Sequence, residues 1–526
     1  MEQVTNSENS KVAKAAGIVG VSTMASRIFG FIRDMVVAAL FGASLASDAF
    51  FVAFRIPNLL RRLIGEGSLT VSFVPVFTDY LNRKSKEEAL EMANVAFTLL
   101  SILLVIISIL GVLFSPLIVA LIAPGFISNP NQFALAVFLN RLMFPYIFFM
   151  SLVALCMGIL NSFRHFAAPA LSPVILNISM IIAALSLRNF FAEPITALAI
   201  GVMIGGILQL AMQWPFLLKF GLKFKFIFNL RHPGIKQIAV LMLPAVFGAA
   251  IYQINVFVGT ILASLLPKGS VSYLYYADRI MELPLGVFAI AIGTATLPSL
   301  SEHASQGNYR QLKSTMSFSL RLMLFVTIPA MVALMTLNLP IISVLFQRGV
   351  FNVGATILTA QALFCYALGL WAFSVIRVII AAFYSLQDSK WPMKAAIITL
   401  VVNIVASIAL MFPLKHNGLA LANSLASMVN VIILSIVLRK KIGPFLDRSF
   451  YISMLKIIIS SLAMWGAILL FDFFLPWNTY ARFETRLTYL MIAVMVGAVT
   501  YFSCAHLLKS PEINGIVRTI NRRFNR

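Results

Sequence analysis

Residues 22–67, STMASRIFGFIRDMVVAALFGASLASDAFFVAFRIPNLLRRLIGEG, set Arg27, Arg33, Asp34, Asp48, Arg55, Arg61, Arg62 and Glu66 among Leu, Ile, Val, Phe and Ala. An arginine at the centre of a spanning helix costs about 2.5–3.5 kcal/mol on insertion scales. Several in one apolar stretch need a reason. The one that suits guanidinium best is a water-filled cavity between helices that receives an anion.

The rest of the chain supports a membrane setting. Of its 526 residues 60% are hydrophobic and only 11% charged, which excludes an ordinary soluble domain. The apolar runs reach about 20 residues, the length an α-helix needs to cross about 30 Å of hydrocarbon, and none alternates as a barrel strand does. The expected fold class is an all-α polytopic membrane protein. Runs bounded by charges, Gly and Pro predict about fourteen transmembrane helices, near 15–43, 47–64, 89–123, 132–160, 168–188, 194–218, 236–266, 271–300, 312–338, 355–384, 391–412, 417–438, 450–474 and 484–508. The stretch Leu69 to Lys86 is amphipathic, ends in cations and predicts an interfacial helix.

The formal net charge of +22 could point to nucleic acid, but the cations lie scattered among loops on one side. The clusters are Arg83, Lys84, Lys86; Lys219, Lys223, Lys225, Arg231, Lys236; Arg439, Lys440, Lys441, Arg448; and Arg518, Arg522, Arg523, Arg526. The opposite loops are nearly bare. By the positive-inside rule both termini are cytoplasmic, no nucleic-acid partner is expected, and the basic loops face anionic phospholipids at the cytoplasmic surface.

An internal repeat organises the spans. Phe50–Pro57 (FFVAFRIP) aligns with Leu274–Met281 (LYYADRIM) at an offset of 224, bringing Arg55 onto Arg279. Asn161–Pro169 aligns with Tyr384–Pro392 at 223, and Ala197–Ala199 with Ala420–Ala422 at the same offset. Duplication of this kind builds many transporters. It divides the chain into an N-terminal lobe at 1–230 (helices 1–6), a C-terminal lobe at 231–445 (helices 7–12), and helices 13–14 with a basic tail at 446–526. Two six-helix lobes plus two C-terminal helices result.

The charged residues admit both structural and ligand-binding roles. Arg27 and Arg33 stand about 120° apart on helix 1 and border one wide cavity, with Gly30 permitting a bend between them. Asp34, seven residues after Arg27, is nearly on its face and is its natural structural partner. Asp48 and Arg55 have the same spacing and can neutralise one another, while Arg61 and Arg62 end helix 2 with Glu66 a partner for Arg62. In the second lobe Arg279 and Glu282 share a face at i, i+3, and Asp278 and Glu282 at i, i+4. Arg27, Arg33, Arg61, Arg62 and Arg279 outnumber the deep carboxylates. Guanidinium is planar, stays charged and binds phosphate oxygens bidentately, so a phosphate or diphosphate fits that surplus. Gly201 and Gly205 read as a helix-packing notch, and Cys156, Cys365 and Cys504 as separate buried thiols.

No loop is long enough for a soluble catalytic domain. The chain has no phosphate loop, HExxH motif or nucleophile elbow. No enzyme activity, cofactor or metal site is therefore expected.

The stretches ASRIFGFIRD, SDAFFVAFRIPNLLRRL, EGSLTVSFVPVF, APGF, GSVSYLYYADRIMELPLGVFAIAIGTATLPSLS and FYSLQDSKWP resemble the MurJ (MviN) lipid II flippase family of bacterial peptidoglycan synthesis, within the multidrug/oligosaccharidyl-lipid/polysaccharide exporter superfamily. That resemblance spans nearly the whole chain. It implies fourteen helices, two lobes and alternating access in the bacterial inner membrane. It implies that Arg27, Arg33, Arg61 and Arg279 are cavity arginines, with Ser26, Asp48, Ser272, Asp278 and Glu282 in support, and that helices 13–14 carry the polyprenyl tail. Lipid II is the implied substrate, and transient contact with cell-wall synthesis proteins is in keeping with the role. A sodium site found in some members uses acids on helices 7 and 11; helix 7 here reads AAIYQINVFVG, without one. The alternatives are a flippase for another polyprenyl-diphosphate glycan and, further off, a membrane enzyme acting on polyprenyl phosphates.

Overall fold

The structure, a computed structural model, describes the backbone of residues 2–60 and 69–513, with side chains there except at 2–16, 18, 60, 70–71, 245–252 and 287. Arg61, Arg62 and Glu66 lie outside the described residues, as does the basic tail from 514 onwards. The chain packs as two compact units, Met1–Val271 and Ser272–Arg526.

The first unit holds α1 (Glu2–Phe41), α2 (Leu45–Leu60), α3 (Thr70–Arg83), α4 (Lys86–Leu113), α5 (Ser115–Ile122), α6 (Pro130–Met143), α7 (Tyr146–Ser162), α8 (Ala167–Leu187), α9 (Thr196–Lys219) and α10 (Pro233–Ser264). Local chemistry sets the boundaries. Gly42, at φ +64°, turns the chain after α1, and Ser47 Oγ donates to the Phe41 and Gly42 carbonyls that the helix end leaves open. Ser85 Oγ caps α4 by accepting from Glu88 N at 3.1 Å. Helix α8 packs on α1 and α9. Gly201 and Gly205 allow the second contact: a Cβ on Gly201 would lie 2.8 Å from Ala183 Cβ, and one on Gly205 2.7 Å from Leu176 Cδ1. The expected notch is a packing notch.

The second unit continues with α11 (Ser270–Pro284, its first two residues still in the first unit), one π-helical turn at Leu285–Ala289, α12 (Ile290–Ser305), α13 (Tyr309–Thr336), α14 (Asn338–Phe346), α15 (Val353–Ala367), α16 (Leu370–Ser385), α17 (Lys390–Leu414), α18 (His416–Ile442), α19 (Arg448–Phe474) and α20 (Phe483–Leu507). The repeat read from sequence is written into these boundaries. Lys86 and Tyr309, Ser115 and Asn338, Pro130 and Val353, Ala167 and Lys390 open matching helices, each pair 223 residues apart. Details recur at that spacing. Asn129 Oδ1 caps α6 through Gln132 N, as Asn352 Oδ1 caps α15 through Ala355 N. Arg164 and Gln387 both take a positive φ, 58° and 55°, and the amides after them, His165 and Asp388, bond back to the Leu160 and Phe383 carbonyls. This is the αL helix stop with its returning amide, used twice.

Ten helices or joined helix pairs among the described residues are long and apolar enough to cross a membrane. The other expected crossings fall on α1, α2, α10 and α11–α12. Of these, α2 has 16 described residues, and α10 carries an apolar stretch at Gln253–Ser264 that follows residues 245–252, whose side chains are not described.

Two features of the packing add to the sequence reading. The amphipathic stretch forms α3, but its apolar face is taken up by protein: Phe73, Val76, Phe77 and Tyr80 are buried, and α3 packs on α7, α4 and α10. A division at 230/231 follows the repeat, whereas packing divides the chain after α10, because α10 rests on α3, α4 and α5.

Candidate functional site

In the first unit the charged residues hang from α1 and α2. Arg33 is 7% exposed, and its Nε and Nη2 donate to Asp34 Oδ1 at 3.0 and 2.7 Å. Its Nη1 donates to Asn177 Oδ1 on α8 at 3.0 Å. Asn177 Nδ2 in turn donates to the Ser26 carbonyl at 3.2 Å. Gly30 lies against Asn177, where a Cβ would stand 3.4 Å from Nδ2, an ordinary contact. A buried ion pair is costly unless its remaining donors are satisfied, and Asn177 satisfies one.

This network shows which protein partners the α1 charges take. Asp34 pairs with its neighbour Arg33. Arg27, offered as its partner, is exposed and makes no hydrogen bond or ion pair among the described residues. The cation six residues towards the N-terminus is thus available to a ligand, while Arg33 is already oriented by protein. Ser26 contributes its carbonyl.

Asp48 and Arg55, read as a neutralising couple, both find partners on α10 or the turn behind it. Asp48, 2% exposed, accepts from Gly269 N at 2.6 Å, and Arg55 Nη1 donates to Thr260 Oγ1. Asp48 also lines a cavity of about 260 Å³, with Gln132, Ser264 and Lys268 among its polar walls.

In the second unit the α11 group forms as expected. Arg279 Nη1 donates to Glu282 Oε2 at 3.1 Å, one turn on. Its Nη2 donates to the Tyr275 hydroxyl at 3.2 Å, and the guanidinium carbon stands 5.0 Å from the centre of that ring. Arg279, Asp278 and Glu282 are half-buried, whereas Ser272 is fully buried. A π-helical turn follows three residues after Glu282, the kind of irregularity that often marks a functional helix.

Sequence reasoning missed Asn177 and Tyr275. The amide was visible as one polar residue inside ALSPVILNISMIIAAL, but nothing in the pattern of α8 says which helix it meets. Among the described residues no cluster of His, Cys, Asp and Glu could hold a metal ion.

Residues 37–488 match the sequence model of the family described as lipid II flippase MurJ. A probable lipid II flippase MurJ from Buchnera aphidicola (subspecies Acyrthosiphon pisum) is 37% identical over 493 residues, covering 93% of this chain and 96% of the relative. One from Vibrio cholerae is 36% identical over 516 residues, covering 97% and 98%. A solved lipid II flippase MurJ in an inward closed conformation superposes with a TM-score of 0.78 at 30% identity, covering 94% of this chain and 99% of that one. An inward-facing multidrug resistance MATE family transporter of the MOP superfamily shares the fold, with a TM-score of 0.68 at 17% identity over 82% of this chain and 98% of that one. A multi-pass helical membrane chain, alike end to end in sequence and in backbone, belongs to the lipid II flippase MurJ family.

Proposed function

We propose that this chain moves lipid II, an undecaprenyl-diphosphate-linked peptidoglycan precursor, from the cytoplasmic to the outer leaflet of the bacterial inner membrane by alternating access. The observation that carries the proposal is the family match, sustained over nearly the full length of both this chain and its relatives. In this reading the chain crosses the membrane fourteen times with both termini cytoplasmic, and it performs no covalent chemistry.

The surroundings of the described charged groups support the following roles. Arg27, exposed and without a protein partner among the described residues, meets the diphosphate directly. Arg33, held by Asp34 and Asn177, presents a charge whose orientation is already paid for. Arg279, braced by Glu282 and Tyr275, does the same from α11, and Arg61 and Arg62 complete the set. Ser26, Asp34, Asp48, Arg55, Glu66, Ser272, Asp278 and Glu282 support them. The polyprenyl tail stays in lipid along α19 and α20, most of whose apolar length is not buried by protein. Anionic phospholipids attend the basic loops, and cell-wall synthesis proteins are transient partners.

An inside-negative potential favours export. Moving two negative charges outward gains about 4–5 kcal/mol per 100 mV. In proteoliposomes, flipping that is unchanged after the potential is collapsed would remove this driving force from the proposal.

A further inference from the structure

A second pair of arginines stands away from the residues described above, where α14 meets the start of α20. Arg486, one turn into α20, is 9% exposed. Its Nη1 donates to Ser343 Oγ at 2.9 Å and its Nη2 reaches the Gln347 carbonyl at 3.5 Å, while its Nε–H is buried with no hydrogen-bond partner. Arg348, in the connection after α14, donates from Nη2 to the Val344 carbonyl at 2.8 Å and lies over the Phe483 ring at 5.2 Å. Burial, and then the neighbouring Arg486 charge, hold its guanidinium below the ordinary arginine value.

Neither guanidinium has a carboxylate partner among the described residues. Asp472, near the end of α19, accepts from the Tyr489 hydroxyl at 2.5 Å and from Trp477 N at 3.1 Å. Glu484 is exposed and Thr488 Oγ1 bonds only its main-chain carbonyl. Two like charges, one of them nearly buried and under-bonded, are expensive to hold together without an anion.

The surroundings say where that anion comes from. The connections after α14 and after α19 meet here, Gln347 Nε2 donating to the Thr479 carbonyl at 3.0 Å. This end of α19 is the one opposite its basic end at Arg448. Phe473 (78% exposed), Phe474 (73%) and Tyr480 (84%) surround it with bare aromatic surface, as in the aromatic belt at a membrane–water boundary.

We propose that Arg348 and Arg486 form an anion site for the phosphate of an acidic lipid headgroup at the membrane face opposite the basic loops. The site is independent of the lipid II reading: it serves a resident lipid that ties α20 to α14.

The test is native mass spectrometry and thermal unfolding of the purified full chain with phosphatidylglycerol, phosphatidylcholine or inorganic phosphate. Wild type retains phosphatidylglycerol over phosphatidylcholine and unfolds at higher temperature with it. R348Q weakens that retention about tenfold, equal to about 1.4 kcal/mol, and R486Q does the same or more. Arg486 is buried and its replacement endangers the fold, so R348Q, altering a half-buried connection residue, carries the test alone. Equal stabilisation by inorganic phosphate, lost in R348Q, keeps the anion site and assigns it a soluble phosphate. Retention in R348Q equal to wild type, or no preference of wild type for the acidic lipid, overturns the proposal.

Discussion

Asn177 accepts a hydrogen bond from Arg33 Nη1 at 3.0 Å and donates one to the Ser26 carbonyl at 3.2 Å, so one amide on α8 aligns the guanidinium with the backbone of α1. Losing a hydrogen bond to a charged group costs about 1.5–3 kcal/mol. Asn177→Leu should therefore insert normally but lower lipid II flipping by about tenfold or more. Complementation of a flippase-depleted strain, with membrane levels measured in parallel, checks this.

Arg27 and Arg33 should separate function from stability. Arg27→Ala removes an exposed cation, so flipping is lost while the thermal midpoint in detergent is retained. Arg33→Ala leaves Asp34 buried without that partner and should cost about 3–5 kcal/mol of stability as well as activity. In the double variant R33A/D34N most of the stability returns and flipping does not. Unfolding curves and flipping assays on the same preparations distinguish the two residues.

Much of this was legible in the chain, and the limits have physical reasons. The repeat showed where a helix stop needs particular residues, so the segments that turn at Arg164 and Gln387 keep their spacing after side chains diverge; the Asn129 and Asn352 caps follow the same spacing but were not read from the sequence. Arg279 and Glu282 showed because i, i+3 is a contact within one helix. The partner of Asp34 did not show: helical phase favours Arg27, but the flexible Arg33 side chain folds back on its neighbour once Asn177 takes its other end. The burial of α3 and the seat of α10 depend on contacts between helices, and an amphipathic pattern does not say whether lipid or protein covers its apolar face.

The α8–α9 contact leaves no room at Gly201, where a Cβ would stand 2.8 Å from Ala183 Cβ and 2.9 Å from Met180 Cα. Overpacking of this kind costs about 1–3 kcal/mol. Gly201→Ala should lower the thermal midpoint in detergent, and Gly201→Ala with Ala183→Gly should recover part of the loss.

His232 opens α10, its Nδ1 accepting from Gly234 N at 3.2 Å. Burial, against the opposing pull of Glu91, lowers its pKa below the usual imidazole value. The unfolded chain then binds the proton more readily than the folded one, so this contribution is present above the unfolded value near pH 6.5 and fades as pH falls through the lower folded value. Protonation also removes the capping acceptor. His232→Asn, which keeps a cap without titrating, should lose less thermal stability than wild type between pH 7.5 and 5.5.

The most direct measurement places the purified chain in proteoliposomes with fluorescent lipid II in one leaflet and follows its arrival in the other under an imposed potential. Wild type should move lipid II, and Arg27→Ala, the stability-restored R33A/D34N and Arg279→Ala should reconstitute to the same level and leave it where it began. Transfer by all three variants at the wild-type rate would contradict the claim that these guanidinium groups carry the diphosphate.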